Sequence, residues 1–362
     1  MELVCIGWRP YVLEVCAEHL VLHTEMELAI TLRKLRNKDP KGRPYGERTK
    51  RIDFSFLRPR YCIEGVIELF QCTPNLLIYV NANISDPLPE QQTPTEIIQA
   101  LVKHCGQSLR RAEWAGEGES PAFLDLDILA SGAPNLHTLH LRCIYSYARN
   151  HDSKHPILAF PNLKTLSLGL IPTCNEALPP RPSTWDLFLA LLCLNPIQLP
   201  SLERLEVDIF PDLFFLVTHG SKIRYLRTTS WSFASVLQTA LPLCINLDTL
   251  VISQTTNKLK FPSSHPSLNR ICILPHVEQY VLVPERVFTY AVLEPLDDLF
   301  LGLEAMTAPE LKEIRIRNIG GFTGILTRKI WLEGWWQRWK EHNVALTDKR
   351  GHPFEAVKKL PF

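Results

Sequence analysis

The sequence predicts an α/β solenoid in which short parallel strands alternate with return helices, between a helical N-terminal segment and a C-terminal cap. Three observations predict it. A phrase of the form Pro-x-Leu-x-x-Leu-x-Leu recurs, stretches of helical spacing lie between its copies, and 28 prolines in 362 residues exceed the ~5% of average usage. Proline ends helices and strands early, so its surplus means many short elements. The helical segment takes residues 1–35, a basic connector with the first strand 36–60, the repeats 49–319 and a Trp-rich cap 320–362.

In chain order, the first segment opens with Leu3-Val4-Cys5-Ile6-Gly7-Trp8-Arg9, followed by apolar Val12, Leu13, Ala17, Leu20, Val21 and Leu22. The connector is the most basic part of the chain. From Arg33 to Arg60 eleven basic residues (Arg33, Lys34, Arg36, Lys38, Lys41, Arg43, Arg48, Lys50, Arg51, Arg58, Arg60) face Asp39, Glu47 and Asp53, a local charge of +8 in a chain totalling +1. A patch for RNA, phospholipid or nuclear import is one reading and a solvated loop is the other. The loop is favoured, because only Tyr45, Phe54 and Phe56 are available for stacking.

The clearest repeats are Pro134-Asn135-Leu136-His137-Thr138-Leu139-His140-Leu141, the copy from Pro161 to Leu168 and the copy from Pro200 to Val207. Further copies set apolar residues at Leu247, Leu250 and Ile252, at Leu268, Ile271 and Ile273, and at Leu311, Ile314 and Ile316. Degenerate ones occur at Ile223 with Leu226, Leu109 with Trp114, Leu76 with Tyr79, and Ile52 with Phe54. From Leu136 the first anchors are spaced 27, 39, 21, 24, 21 and 43 residues apart, so the two longest gaps hold insertions. The alternation x-Leu-x-Leu has period two, which buries one side of a strand and displays the other. Helical spacing marks Ile63, Val66, Ile67 and Phe70; Ile97, Ile98, Leu101 and Val102, with Thr95 as the cap and Gly106 beyond the end; and Leu187, Leu191 and Leu194 after Ser183 and Thr184. One strand and one helix bury little alone, and stacking them builds a continuous core.

Four of the eight tryptophans, Trp331, Trp335, Trp336 and Trp339, lie close together near the C-terminus. A stacking platform or a membrane-interface helix would use them outward. The favoured reading is an amphipathic cap with Trp331, Trp335 and Trp339 inward, followed by a strand at Val344-Ala345-Leu346 and a turn at Arg350-Gly351.

From Thr49 to Ile319 the recurring phrase resembles the leucine-rich repeat family. That family often carries Asn or Cys eight positions after the first leucine; here those places hold Ile144, Ile171, Phe210, Thr255 and Ile319, so an irregular arc without the family's asparagine ladder is expected. The opening residues resemble the second half of an F-box, through the Val4-Cys5 pair, Trp8 three residues on, and the apolar helix that follows. Fungal F-box and leucine-rich-repeat proteins join these two parts, and the C-terminal segment resembles theirs too. The resemblance implies a substrate-recognition adaptor of an SCF ubiquitin ligase. Its F-box remnant (Leu3, Val4, Cys5, Trp8, Val12, Leu13) would dock on a Skp-type subunit with its cullin, and its repeats would hold a protein target. The family's opening Leu-Pro and first helix would lie ahead of Met1, so weak Skp docking is expected of this sequence. Alternatively, Val4, Cys5, Trp8, Val12 and Leu13 cap the open end of the solenoid.

Catalytic signatures are missing from the sequence. It contains neither G-x-x-x-x-G-K-[ST] nor G-x-G-x-x-G, and neither H-E-x-x-H nor G-x-S-x-G. His137 and His140 fall on opposite sides of a strand and cannot chelate together. Asp125-Leu126-Asp127 and Asp297-Asp298 read as solvated helix faces. No catalytic residue, cofactor or metal site is expected, and the chain reads as a non-enzyme. Ten cysteines scattered singly, with no C-x-x-C, read as free thiols of a cytoplasmic or nuclear protein, and the Asn83-Ile84-Ser85 sequon as silent. No leader is expected, and no apolar run approaches the ~20 residues of a membrane span.

The displayed strand positions nominate the binding surface. Arg204, Glu206, Tyr225, Arg227, Arg270, Glu313, Arg315 and Arg317 would line the concave face, and Arg and Tyr are enriched in interface hot spots. The expected function is target recognition for ubiquitin transfer. The alternative is a ligase-independent interaction scaffold.

Overall fold

The computed structural model describes residues 15–38, 42–56, 62–84, 91–116, 118–144, 158–169, 185–207, 213–228, 236–253, 258–274, 293–316, 329–348 and 350–353. The chain divides into two compact units, Met1–Leu170 with Pro182–Leu202, and Glu203–Phe362 with Ile171–Arg181.

In the first unit the elements run β1 (His19–Leu22), α1 (Glu25–Leu35), β2 (Arg51–Phe54), α2 (Ile63–Cys72), β3 (Ile78–Asn81), β4 (Gln91–Gln92), α3 (Thr95–Cys105), β5 (Arg111–Trp114), β6 (Glu119–Ser120), α4 (Phe123–Gly132), β7 (Thr138–Leu141), β8 (Thr165–Leu168) and α5 (Trp185–Leu192). The sheet is parallel in the order β1-β2-β3-β5-β7-β8, and β4 and β6 form a separate parallel pair. The second unit runs β9 (Arg204–Val207), α6 (Leu213–His219), β10 (Tyr225–Thr228), α7 (Val236–Ala240), β11 (Thr249–Ser253), β12 (Arg270–Leu274), α8 (Glu294–Glu304), β13 (Glu313–Ile316), α9 (Lys329–Glu341) and β14 (Ala345–Thr347). Its strands pair in parallel in simple sequence order. The α/β alternation expected from the repeated phrase is therefore present in both units.

Register explains the phrase. The second residues of the first unit's strands (Leu20, Ile52, Tyr79, Ala112, Leu139, Leu166) lie side by side and are buried, as are Leu205, Leu226, Leu250, Ile271, Ile314 and Leu346 in the second. Where a leucine stands two residues before a strand, as at Leu76, Leu136, Leu163 and Leu202, it is buried too. In the degenerate repeats aromatic rings replace leucines: Tyr79 stacks edge-on to Trp114 (centroids 5.4 Å apart), to Phe70 (5.9 Å) and to Phe54 (5.9 Å). Such ring pairs contribute about 0.5–1.5 kcal/mol each beyond their buried area. The repeat thus stays full although its leucine pattern is lost.

The places eight positions after the first leucine hold no asparagine, as the sequence reads, and the structure adds a different ladder at the other end of the strands. This ladder stands on the N-terminal side of the strands, at the Asn or Ser just before the first leucine, which follows proline at Asn75, Asn135, Asn162, Ser201 and Ser267. Asn75 Nδ2 donates to the Glu47 carbonyl (2.9 Å), Asn135 to Gln107 (2.9 Å), Asn162 to Pro134 (2.8 Å) and Asn246 to Ser221 (2.7 Å). Serine hydroxyls do the same from Ser108 to Pro74 (2.9 Å), Ser201 to Pro161 (2.9 Å) and Ser267 to Ile245 (2.6 Å). Each bond ties one turn to its counterpart in the preceding repeat. Loop carbonyls have no strand partner, so a side-chain donor in the next repeat satisfies them.

Several local expectations change. The segment expected to be helical over 1–35 also supplies β1, so the parallel sheet already includes His19–Leu22, ahead of the repeats expected from residue 49. Helix α1 is capped by Thr24, whose Oγ1 accepts from Glu27 N at 3.1 Å. Thr95 is not a cap: Pro94 holds that place, and Thr95 Oγ1 donates to Asp125 Oδ1 at 2.8 Å. Asp125 is 1% exposed, not solvated, because its Oδ2 accepts Ala122 N (2.8 Å) at the start of α4. Gly106 does close α3, where a Cβ would strike the Gly132 carbonyl.

The C-terminal cap forms as the tryptophan spacing implies. Trp335 and Trp339 are buried, and the rings of Trp331, Trp335 and Trp339 lie 6.0, 4.9 and 6.1 Å from Phe300 on α8. Asp297, expected on a solvated face, instead accepts both indole N–H groups of Trp331 (2.8 Å) and Trp335 (2.6 Å). Outside the cage, Arg338 pairs with Glu304 and lies over the Trp335 ring.

Candidate functional site

In the second unit the first residues of β9 to β13 are Arg204, Tyr225, Thr249, Arg270 and Glu313, and the third are Glu206, Arg227, Val251, Cys272 and Arg315. Neighbouring strands stand about 4.8 Å apart, so these side chains form two close-set rows opposite the leucines. Seven of the eight nominated residues fall in the rows. Arg317 lies outside the described residues, as do Leu3, Val4, Cys5, Trp8, Val12 and Leu13.

The rows resolve into two charge clusters. In one, Arg204 Nε donates to Glu206 Oε1 at 2.6 Å, Arg227 Nη1 stands 3.8 Å from Glu206 Oε2, and the Arg204 guanidinium lies 3.8 Å over the Tyr225 ring. In the other, Glu313 is the hub. It accepts from Arg270 Nε at 2.5 Å, Arg315 Nε at 2.8 Å and Thr347 Oγ1 at 2.7 Å. Burial alone would raise the Glu313 pKa, but the hydrogen bonds from Thr347, Arg315 and Arg270 outweigh it and hold the carboxyl below its ordinary value. The bond to Glu313 in turn raises the Arg270 guanidinium.

This geometry revises the nominated roles. Glu206 and Glu313 are internal counter-ions that orient arginines. The side chains of Arg227 and Arg315 are only 16% and 22% exposed, whereas Arg204 and Arg270 are each 43% exposed. Gly351, at φ +81°, sits so close over Arg315 that a Cβ there would lie 2.8 Å from Nη2. Between the clusters Thr249, Val251 and Cys272 are buried, so the face is not evenly open as expected. Four guanidinium groups against two carboxylates leave it net positive, and its accessible cations are Arg204 and Arg270.

The first unit repeats the arrangement, which sequence reasoning missed. Arg51 Nε donates to Asp53 Oδ1 at 2.7 Å, with His19 Nε2 3.0 Å from Oδ2, and Arg111 pairs with Glu113. Burial would raise the Asp53 pKa, but the bonds from Arg51 and His19 hold it below its ordinary value. The missed signal was Arg-x-Asp/Glu at the strand start, present at Arg51, Arg111 and Arg204. Residues two apart share one side of a strand, so each such phrase makes an ion pair on the open face.

No family model matches the chain, and no curated protein matches it. Among the described residues no group of three or more His, Cys, Asp and Glu is placed to hold a metal ion, and no helix is long and apolar enough to cross a membrane.

Proposed function

We propose that the chain is a non-catalytic recognition subunit, a degenerate leucine-rich-repeat protein that holds a protein target on the open strand face of its second unit. The observation that carries this is the pair of arginine clusters. A sheet face needing only solvation is served by any polar residue, whereas here Arg204 and Arg270 are held by fixed carboxylates and, for Arg204, by the Tyr225 ring. Guanidinium groups fixed in advance lose less entropy when a partner arrives. The F-box resemblance of Leu3 to Leu13 supports a more specific role, as the target-binding adaptor of an SCF-type ubiquitin ligase acting in the cytoplasm or nucleus.

Proximity labelling in cells, with the tagged chain and its Arg204→Glu/Arg270→Glu variant, tests both levels. The adaptor role predicts Skp and cullin subunits among the neighbours of both forms, with the target lost from the variant only. A target retained without Skp or cullin would replace the adaptor by the ligase-independent scaffold. Undiminished target capture by the variant would remove this face as the binding site.

A further inference from the structure

The residue preceding each strand of the first unit's sheet occupies one line, held by the backbone. The Lys50 carbonyl accepts Leu77 N at 2.9 Å, that of Leu77 accepts Arg110 N at 2.8 Å, that of Arg110 accepts His137 N at 2.8 Å, and that of His137 accepts Lys164 N at 2.8 Å. With strands about 4.8 Å apart, the line from Lys50 to Lys164 runs about 19 Å. Four of its five places hold Lys, Arg or His. Arg51 and Arg111 follow at the first strand position.

These basic residues differ in how far they are neutralised. Arg51 and Arg111 are taken up by Asp53 and Glu113. Lys50 and Lys164 are exposed and have no carboxylate within ion-pair distance among the described residues, and the side chain of Arg110 bonds to the Asn135 carbonyl at 3.3 Å. Glu18, whose carbonyl accepts Lys50 N at 2.8 Å, is the acidic neighbour at the β1 end. The fold has thus gathered Lys50, Arg110 and Lys164, none paired to a carboxylate among the described residues and the outer two more than a hundred residues apart in sequence, onto one rim.

We infer that this rim binds an extended acidic segment of a partner protein. An extended chain presents side chains on one side every ~6.6–6.8 Å, a repeat that brings carboxylates within reach of cations set one or two strands apart. A nucleic acid fits less well. The rim and first-row positions carry no Phe, Tyr or Trp on which a base could stack. This inference does not rest on the arginine clusters of the second unit.

Fluorescence anisotropy of the full chain with a labelled Glu-rich decapeptide, and separately with a labelled oligothymidine of similar length, tests it. The decapeptide should bind, more weakly as salt rises, and the variant Lys50→Glu/Arg110→Glu/Lys164→Glu should lose about tenfold or more in affinity. Lys50→Gln/Lys164→Gln should fall between. A thermal melt of each variant establishes that the fold is kept. Absence of decapeptide binding, undiminished binding by the triple variant, or tighter binding of the oligothymidine would overturn the proposal.

Discussion

Asn135 Nδ2 donates to the carbonyl oxygen of Gln107 at 2.9 Å, joining the turn before β7 to the turn before β5. The Asn or Ser just before the first leucine makes this bond in repeat after repeat, which gives the phrase a second physical meaning beside the burial of its leucines. The leucines fill the core of one repeat, and the amide or hydroxyl fastens that repeat to its neighbour.

Replacement of Asn135 should therefore follow donor chemistry. Asn135→Ser is expected to be mild, since serine fills the same place at Ser108, Ser201 and Ser267. Asn135→Ala should cost about 0.5–1.5 kcal/mol, the net worth of one hydrogen bond. Asn135→Asp should cost more, because a carboxylate faces a carbonyl. Urea midpoints of the three variants check this order.

Asp297 should be the key polar residue of the C-terminal cap. Asp297→Ala leaves the Trp331 and Trp335 indole donors without the oxygen that accepts both. Buried donors left unmatched cost about 1–3 kcal/mol. Asp297→Asn, which retains a carbonyl oxygen, should cost less. Near-UV circular dichroism should lose its tryptophan bands in Asp297→Ala at lower urea than in the parent, and an unchanged midpoint would contradict this role.

His265 should make stability depend on pH. It is fully buried, and its Nε2 sits 3.1 Å from the Cys244 carbonyl. Burial pushes its pKa below the ordinary 6.5 despite the opposing backbone bonds. The unfolded chain therefore takes up the proton first. Stability from this group is complete above about 6.5 and is lost as pH falls through that value toward the lower folded pKa. His265→Gln should show a smaller loss of stability than the parent between pH 7 and 5, and parallel curves would exclude the effect.

The thiols should divide by burial. Among the described residues eight cysteines stand outside any disulfide, with Cys16 and Cys62 exposed, while burial pushes Cys105 and Cys244 up to about 12. The thiolate is the reactive form, so Cys105 and Cys244 should resist alkylation until the chain unfolds. Mass spectrometry of freshly lysed, unreduced protein should find Cys16 and Cys62 modified first and all ten after denaturation. A stable disulfide would contradict the proposed cytoplasmic or nuclear setting.

The sequence by itself determined the alternation of strands and helices, the strand positions of the clear repeats and the inward tryptophans of the cap. These follow from local periodicity: two residues per strand repeat and 3.6 per helical turn decide which side chains share a side. Local pattern also nominated Arg204, Tyr225, Arg227, Arg270 and Arg315. Only the tertiary structure decided the pairs that cross strands, since Arg270 and Glu313 are 43 residues apart and become neighbours through strand register. The same holds for the burial of Asp125, the two indoles on Asp297, and the rim on which Lys50, Arg110 and Lys164 align. Each is a contact between elements that occurs once in the chain, so unlike the recurring Asn and Ser bonds it leaves no periodic trace in sequence.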